Sequence, residues 1–220
     1  MTQEQQLLVA RLEDSLKAGR KRPSFLGFLD EAQAAFCQDF LARRREVEYL
    51  FWGGHDDAER VMLGFFPDYM EPAREEFPIT PFAMTYRKGD SLSHRDILGS
   101  FMALGVERAV VGDILVGEGE CVAFLRKEMG EYFLQNIRKI GKVGVKTSLT
   151  WEGPLPGARE FKEMSGVIAS ERLDCLVGFA CRTSREKAAG LITAGLVSLN
   201  HREALSVSQK VKEGDLLSVR

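Results

Sequence analysis

The spacing of hydrophobic residues predicts two helices at the start of the chain. Leu8, Leu12 and Leu16 recur every four residues, which is typical of an amphipathic helix, and this helix is expected to end near Gly19. A second helix is expected to begin near Asp30 and to run up to a triplet of arginines. Basic residues follow both helices, where the helix dipole favours positive charge. The dipole accounts for these basic runs without an RNA contact.

An alternating pattern then predicts a β-hairpin. Val47, Tyr49 and Phe51 alternate with other positions, Gly53-Gly54 supplies a turn, and the apolar stretch 61–66 supplies the second strand. Four prolines between positions 67 and 81 punctuate the acidic segment that follows. This segment is expected to connect a first module, residues 1–75, to the next one.

The middle of the chain predicts a ferredoxin-like module, residues 76–152. The expected order is strand 82–87, helix 93–104, strand 109–116, strand 121–126, helix 128–140 and strand 143–151. This βαββαβ order folds as a four-stranded antiparallel sheet with two helices on one face, as in RRM domains. The third strand lacks the aromatic RRM signature, so base stacking on the sheet is not expected.

A Gly/Pro linker at 153–157 leads to the last module, residues 165–220. Ser170 is the expected N-cap of a helix over 171–179, and a T-x-x-E capping box at Thr183 is expected to start a second helix over 184–194 that ends at Gly195. Short strands follow, with a turn at His201. The predicted fold class is therefore α+β in three modules: an N-terminal α/β module, a central RRM-like module and a small C-terminal domain.

Charge and composition limit the classes of function. The net charge of −2 conceals a difference between the ends, because residues 166–220 hold 8 Lys and Arg against 6 Asp and Glu, whereas residues 1–165 hold 22 against 26. The longest stretch without a charged residue, 188–201, is shorter than the ~20 residues of a membrane span, and the N-terminus lacks the apolar core of a secretory signal. Four cysteines and three histidines show no C-x-x-C or zinc spacing, and we expect the cysteines to be small buried apolar residues. We expect a cytoplasmic protein with no metal, no cofactor and no membrane partner.

The start of the second C-terminal helix has the chemistry of a phosphate site. Ser184 and Arg185 combine exposed amide donors with a cation, and Arg172, Arg182 and Lys187 lie close by in the sequence. The pattern predicts an RNA contact here. The alternative is a solvated charged surface.

Several motifs in this module resemble the S4 RNA-binding domain, also called the alpha-L motif. They are R-L-D at 172–174, S-R at 184–185, L-I-x-x-G-x-V at 191–197, Asn200 and K-V-K-E-G-D at 210–215. In that family the first two helices form a basic surface that fits structured RNA. The resemblance implies that the RNA-binding residues are Arg172, Arg182, Ser184, Arg185, Lys187, Asn200, Arg202, Lys210 and Lys212.

Two upstream segments extend the resemblance over essentially the whole chain. F-W-G-G-x-x-x-A-E-R-V at 51–61 and S-H-R-D-I-L-G-S-F-M-A-L-G-V-x-R-x-x-V-G-D-I at 93–114 resemble the YlmH-type bacterial and plastid proteins, in which two α/β modules precede a C-terminal S4 domain. Members of that family are regarded as ribosome-associated RNA-binding factors rather than enzymes. The resemblance implies the same role here.

Two features of the central module are secondary candidates. Arg138, Lys139, Lys142 and Lys146 form its densest basic cluster and could follow a phosphate backbone, although alternation along a strand would divide them between two faces. His94-Arg95-Asp96 offers an acid/base pair, but a capping or packing role is favoured because the helix that it opens is otherwise apolar.

The expected function is non-enzymatic binding to structured ribosomal RNA, of the large subunit first and with tRNA as a second candidate, through the C-terminal domain. One alternative is an RNA-modifying enzyme of the pseudouridine synthase type, since S4 domains are also appended to such enzymes, although the R-L-D motif here is followed by C-L-V-G rather than T-x-G-L. The other alternative is a protein-interaction adaptor in cell division or organelle assembly, for which the acidic N-terminal two thirds would supply the surface.

Overall fold

The computed structural model describes residues 2–42, 44, 48–157, 164–200, 202–204 and 206–219. The first module contains two helices and one antiparallel sheet with the strand order β1-β3-β2. Its elements are α1 (Gln3–Gly19), β1 (Ser24–Leu29), α2 (Glu31–Leu41), β2 (Glu48–Trp52) and β3 (Val61–Phe66). Both predicted helices and the predicted hairpin are confirmed. Val47 lies outside the described residues.

Capping boxes fix the starts of both helices. The Thr2 hydroxyl accepts from the Gln5 amide at the start of α1, and Asp30 accepts from the Gln33 amide at the start of α2; each glutamine side chain accepts in return from the capping residue's own amide. Such reciprocal bonds satisfy backbone donors that a helix start otherwise leaves unpaired. The sequence analysis did not predict β1, a short apolar segment that pairs with β3.

The central module has the predicted βαββαβ order, but its last strand is divided into two short strands. Its elements are β4 (Ile79–Thr85), α3 (His94–Met102), β5 (Val111–Val116), β6 (Glu120–Arg126), α4 (Gly130–Asn136), β7 (Lys139–Ile140), β8 (Val143–Gly144) and β9 (Lys146–Ser148). The four-stranded sheet has the order β5-β6-β4-β9, and every neighbouring pair is antiparallel. This is the order expected of a ferredoxin-like sheet.

The predicted helix 128–140 and strand 143–151 need correction. Helix α4 ends at Asn136, and β7 and β8 form a small hairpin of their own. The Val145 amide donates to the Arg138 carbonyl at 3.0 Å, which closes this hairpin before the chain joins the main sheet as β9. One continuous strand is therefore replaced by two short ones.

The sheet of the central module buries one face under its own helices. Phe82 of β4, Phe101 of α3 and Phe133 of α4 are all fully buried, and their rings meet edge to face with centroids 4.9–5.9 Å apart. Aromatic rings prefer this arrangement over a face-to-face stack. The contact fixes both helices on the sheet.

The opposite face of the same sheet packs against the first module. Val122 and Phe124 of β6 belong to a buried cluster that also contains Phe28 of β1 and Met62 and Phe66 of β3. The two N-terminal modules therefore share a core. Residues 1–159 form one compact unit, and residues 160–220 form a second. The boundary between the first and the central module, expected near residue 75, stays a prediction.

The second unit has its own small core. Its elements are α5 (Leu173–Ala180), α6 (Arg185–Thr193), β10 (Val197–Leu199), β11 (Arg202–Glu203) and β12 (Leu217–Val219), with the sheet order β11-β10-β12. The helices and the sheet enclose a cluster that includes Leu173, Val177, Ala188, Ile192 and Val197. Gly195 follows α6 with a φ of 69°, as the predicted C-terminal glycine requires.

Both predicted helix starts in this unit are wrong by one or two residues. Helix α5 begins at Leu173 because Glu171 and Arg172 are extended: the Glu171 carbonyl accepts from the Val211 amide, and Arg172 forms a β-bridge with Lys210. Helix α6 is capped by Ser184 rather than Thr183. The Thr183 amide is used in the turn, where it donates to the Gly178 carbonyl. His201, expected in a turn, lies outside the described residues.

The cysteines divide into two groups. Cys37 and Cys121 are fully buried, and burial raises the pKa of each thiol to about 12, so both behave as small apolar residues as expected. Cys175 is half-buried and Cys181 is exposed, contrary to that expectation. Among the described residues, no group of three or more His, Cys, Asp or Glu side chains is arranged to hold a metal ion. Within the described ranges, no helix combines the length and the apolar character of a membrane span.

Candidate nucleic-acid interface

A buried carboxylate anchors two of the predicted RNA-binding arginines. Asp174, at the start of α5, has a side chain that is only 4% exposed. Arg172 donates to it from Nε at 3.1 Å and from Nη2 at 3.0 Å, and Arg185 donates from Nε at 2.8 Å. The arginine side chains themselves remain 39% and 59% exposed. Both guanidinium groups are thus held in place from one side and open to solvent on the other.

These bonds also set the charge of the carboxylate. Hydrogen bonds from Arg172 and then from Arg185 lower the pKa of Asp174 well below its ordinary value, although burial opposes the shift. The bond to Asp174 raises the pKa of Arg172. The ionised forms of Asp174 and Arg172 are therefore both favoured, and two guanidinium groups face a single carboxylate.

The start of α6 supplies amide donors beside this pair. The Ser184 hydroxyl accepts from the Lys187 amide at 3.3 Å, and Arg185 is the first residue of the helix. Arg182 precedes the cap with a φ of 49°, a left-handed conformation that lets the chain turn sharply between α5 and α6. Ser184, Arg182 and Lys187 are all exposed. These residues are therefore accessible at the start of α6, and phosphate binding there stays a prediction.

Lys210 joins this surface from another part of the chain. It is the β-bridge partner of Arg172, and the Leu173 amide donates to the neighbouring Gln209 carbonyl at 2.8 Å. Lys210 is exposed. The structure therefore brings Arg172, Arg185 and Lys210 together although they span 39 positions; we call this set, with Arg182, Ser184 and Lys187, the basic corner.

The remaining predicted residues of the C-terminal unit have different positions. Asn200 has a φ of 51°; its side chain donates to Asp215 Oδ1 at 2.9 Å and accepts from the Leu216 amide at 2.9 Å. The Lys212 amide donates to Asp215 Oδ2 at 2.7 Å while its side chain is exposed. Asn200 therefore closes the loop that leads into β12, and Lys212 lies on the same loop. Arg202 lies in β11.

The basic cluster of the central module lies around the β7–β8 hairpin. Arg138, Lys139, Lys142 and Lys146 are all exposed. Arg138 donates from Nη1 to the Leu134 carbonyl at 2.8 Å, at the end of α4, and Lys146 begins the edge strand β9. Because the predicted strand is broken into a hairpin and an edge strand, simple alternation along one strand does not describe these four residues.

The sheet face that RRM domains use for stacking bases is not available in this protein. Phe124 is 5% exposed and Val122 is fully buried, because both lie in the core shared with the first module. The absence of an RRM signature in β6 agrees with this burial. Any RNA contact of the central module must therefore involve an edge, a loop or a helix.

One member of the suggested acid/base pair at the start of α3, Asp96, is used for capping. Asp96 accepts from both the amide and the hydroxyl of Ser93, and the Ser93 hydroxyl accepts from the Asp96 amide. The bonds from Ser93 lower the pKa of Asp96. Asp96 is therefore committed to the helix start, as favoured by the sequence.

Comparisons with known proteins cover most of the chain. A family model described as "Putative RNA-binding domain in YlmH" matches residues 72–150. A curated protein of Bacillus subtilis (strain 168), "Ribosome-associated protein quality control protein P2", is 31% identical over 203 residues, which cover 90% of this chain and 78% of the relative. The chain belongs to the YlmH family.

A solved structure agrees with the fold of this YlmH-family chain. The "Cell division protein ylmH from Streptococcus pneumoniae" is 24% identical, covers 67% of this chain and 93% of its own, and superposes with a TM-score of 0.55. At this identity the likeness concerns the fold alone. It agrees with an α+β architecture containing several antiparallel sheets.

Sequence reasoning did not recognise Asp174 as the anchor of the YlmH-family chain's basic corner. The R-L-D motif contains it, but a carboxylate among cations suggests a weaker basic patch rather than a buried anchor. The sequence signal beside it is the helix start eleven residues later, because the arginine there donates to the Asp174 carboxylate.

Proposed function

We propose that this protein binds structured ribosomal RNA, of the large subunit first, through its C-terminal unit, and that the unit is an S4-type domain. The observation that carries this proposal is the pair of arginines held on Asp174 with Lys210 beside them. A guanidinium group that is fixed before binding loses little entropy when it meets a phosphate. The helix start at Ser184 adds amide donors to the same surface.

The comparisons support the same proposal from another direction. The family model that matches residues 72–150 is described as RNA-binding, and the name of the Bacillus relative places that protein with ribosomes. We propose a ribosome-associated, cytoplasmic role for this chain as well, with tRNA as a second RNA candidate. The cluster Arg138, Lys139, Lys142 and Lys146 lies inside the matched segment, and we propose it as a secondary RNA contact.

We propose binding without catalysis. In the basic corner the Asp174 carboxylate orients two of the cations, and Asp96 at the start of α3 serves as a helix cap. With these roles, the described groups can position an RNA and attract its phosphates. Turnover of an RNA substrate by the full chain would contradict this part of the proposal.

The proposal is tested by binding of the full chain to large-subunit ribosomal RNA. Lys187→Ala combined with Lys210→Ala removes two exposed cations that take no part in anchoring Asp174, so the fold should be retained. The matched control removes two exposed cations of α1, Arg11→Ala with Lys17→Ala. We expect the first double variant to bind at least tenfold more weakly and the control to bind within about twofold of the parent. Equal losses in both would refute the C-terminal site.

A further inference from the structure

A cavity in the N-terminal unit lies at a junction of the two sequence segments that carry the wider resemblance. It has a volume of about 320 Å³ and opens beside β5, an edge strand of the central sheet. His55 and Asp57 reach it from the first segment, and His94 and Asp113 reach it from the second. The proposed RNA contacts of the basic corner and of the 138–146 cluster use none of these residues.

Asp113 holds the polar part of the cavity in place. It lies where the pairing of β5 with β6 is interrupted between Val111 and Ile114. Its carboxylate accepts from the Glu59 amide at 2.8 Å, from the Arg60 amide at 3.0 Å and from His55 Nε2 at 3.1 Å. The loop between β2 and β3 is therefore fixed on a nine-tenths buried carboxylate. Irregular strand positions of this kind are common beside functional sites.

Packing fixes the His55 ring as well. The ring stacks on Phe124 with centroids 5.0 Å apart and an interplanar angle of 27°. Gly54, with a φ of 101°, allows this approach, since a Cβ there would lie 2.3 Å from the Phe124 ring. The imidazole is thus held rigidly by a carboxylate at its edge and by an aromatic ring against its face.

The lining of the cavity combines apolar and polar groups. The apolar part includes Leu115, Val116 and Leu155, and the polar part consists of two imidazoles and the carboxylates. Among the described residues that line it, none is lysine or arginine. A phosphate would find no counter-charge here. A planar group with apolar faces and hydrogen-bond donors on its edge matches the lining.

The available acceptors indicate which planar group fits. Within the described part of the chain, the Asp57 carboxylate has no hydrogen-bonding partner, and it is exposed at the cavity. Partial burial and the nearby Arg108 guanidinium lower the pKa of His94, which favours a neutral imidazole with an acceptor nitrogen. Guanine displays an N1–H and an N2–H2 donor side by side on its Watson–Crick edge, which both oxygens of one carboxylate can accept.

We infer that this cavity binds a single unpaired guanine base of an RNA strand, with Asp57 on its Watson–Crick edge. The inference rests on the proposed RNA-binding function. Single-stranded bases are recognised in proteins by stacking and by hydrogen bonds to this edge. Because the outer face of the sheet is covered by the first module, base recognition in this unit requires a different position, and an edge-strand cavity provides one. The phosphates of the RNA strand would lie outside the cavity, away from the carboxylates that line it.

The inference is tested by following the imidazole signals of the full chain by NMR. The chain has three histidines, so few signals need assignment. The probes are guanosine, uridine, the tetranucleotides UUGU and UUUU, and N-acetyl-arginine amide. We expect guanosine to shift the signals of His55 and His94 and to leave His201 unmoved. UUGU should shift the signals of His55 and His94 as well, whereas uridine and UUUU should not shift these two. A response to guanosine without one to UUGU would mean a free-nucleoside site and would overturn the RNA assignment. A response to the arginine derivative alone would mean a protein partner and would also overturn it.

Two variants assign the site to the cavity. Asp57→Asn should weaken guanosine binding roughly tenfold, because an amide offers one acceptor in place of two. Asp56→Asn makes the same charge change at the neighbouring position, which is 79% exposed and pairs with Arg74 outside the cavity, and should leave guanosine binding unchanged. Leu155→Trp should abolish binding by filling the apolar part. Equal effects of Asp57→Asn and Asp56→Asn would refute the inference.

The two proposals fail separately. Salt-sensitive binding of the full chain to ribosomal RNA, with no imidazole response to guanosine or UUGU, would retain the basic corner and reject the cavity. Loss of ribosomal RNA binding with a retained guanosine response would reject the proposed function, and with it the assignment of the ligand to RNA.

Discussion

Arg185 Nε lies 2.8 Å from Asp174 Oδ2, although the two residues are eleven positions apart in the chain. This bond connects the first turn of α6 to the first turn of α5. Arg172 Nη2 donates to the same oxygen, at 3.0 Å. The surface charge of the C-terminal unit is therefore positioned by a buried group, and changes at Asp174 should affect stability and RNA binding together.

Asp174→Asn is expected to destabilise the C-terminal unit by about 1.5–3 kcal/mol, the usual cost of losing hydrogen bonds to a charged partner. RNA affinity should fall too, because both guanidinium groups lose their anchor. Urea unfolding and RNA titration of the same variant check the two effects. Glu213→Gln, an exposed change of equal charge, is the control and should alter neither.

The decrease of the unfolding free energy at low pH should depend on the hydrogen bonds of Asp174. The pKa of Asp174 is lowered in the folded state, so its contribution to stability is complete above the unfolded value of about 3.9 and is lost as the pH falls through the folded value. Unfolding free energies measured from about pH 6 down to pH 3 should fall less steeply in Asp174→Asn than in the parent. Identical slopes would mean that folding does not lower the pKa of Asp174.

Binding to ribosomal RNA should depend strongly on salt. If Arg172, Arg182, Arg185, Lys187 and Lys210 contact phosphates, the log–log slope should be roughly −3 to −5 because counterions are released. Fluorescence anisotropy of a labelled RNA at increasing KCl gives this slope. A flat dependence would reject the electrostatic contact.

Arg185→Ala should cost on the order of 1–3 kcal/mol of RNA binding free energy. From the sequence alone the fold is expected to be unaffected, but the structure adds a stability cost of about 0.5–1 kcal/mol, discounted because the side chain is 59% exposed. Arg185→Lys should keep the positive charge and lose the Nε bond. Thermal unfolding alongside RNA titration separates the two losses.

The two units should divide RNA binding unequally. Residues 164–219 have their own core, and their cations form the basic corner, so this fragment should bind ribosomal RNA alone. A fragment of residues 1–157 should bind much more weakly, since its candidate contacts are the four cations at 138–146. Gel-shift titrations of both fragments and the full chain give the comparison. Equal binding by the N-terminal fragment would move the main site to the central module.

Much of the fold follows from local sequence signals. The four-residue leucine repeat predicts α1, and the capping residues Asp30 and Ser93 mark the starts of α2 and α3. The βαββαβ order follows from alternation and turn residues. Strand β1 gave no comparable signal, because its six residues are almost all apolar and show no period. Such a run is assigned only by its partner β3, which is far away in the chain.

The candidate site was less predictable than the fold. The sequence indicates which residues are basic, but it does not indicate that Arg172 and Lys210 are bridge partners or that Asp174 is buried between two arginines. Asp113 was not singled out either, because its importance lies in amides of a loop 53 and 54 positions earlier. These contacts depend on tertiary packing, which local patterns do not contain.

The burial of both faces of the central sheet limits how this protein can be shortened. A truncated chain that starts at residue 72, where the RNA-binding family model begins, would keep β6 but lose β1 and β3. Val122 and Phe124 would then face water together with their neighbours, and an apolar surface of that kind promotes self-association. The segment recognised by its sequence is therefore shorter than the segment that shares this core, which extends back to β1.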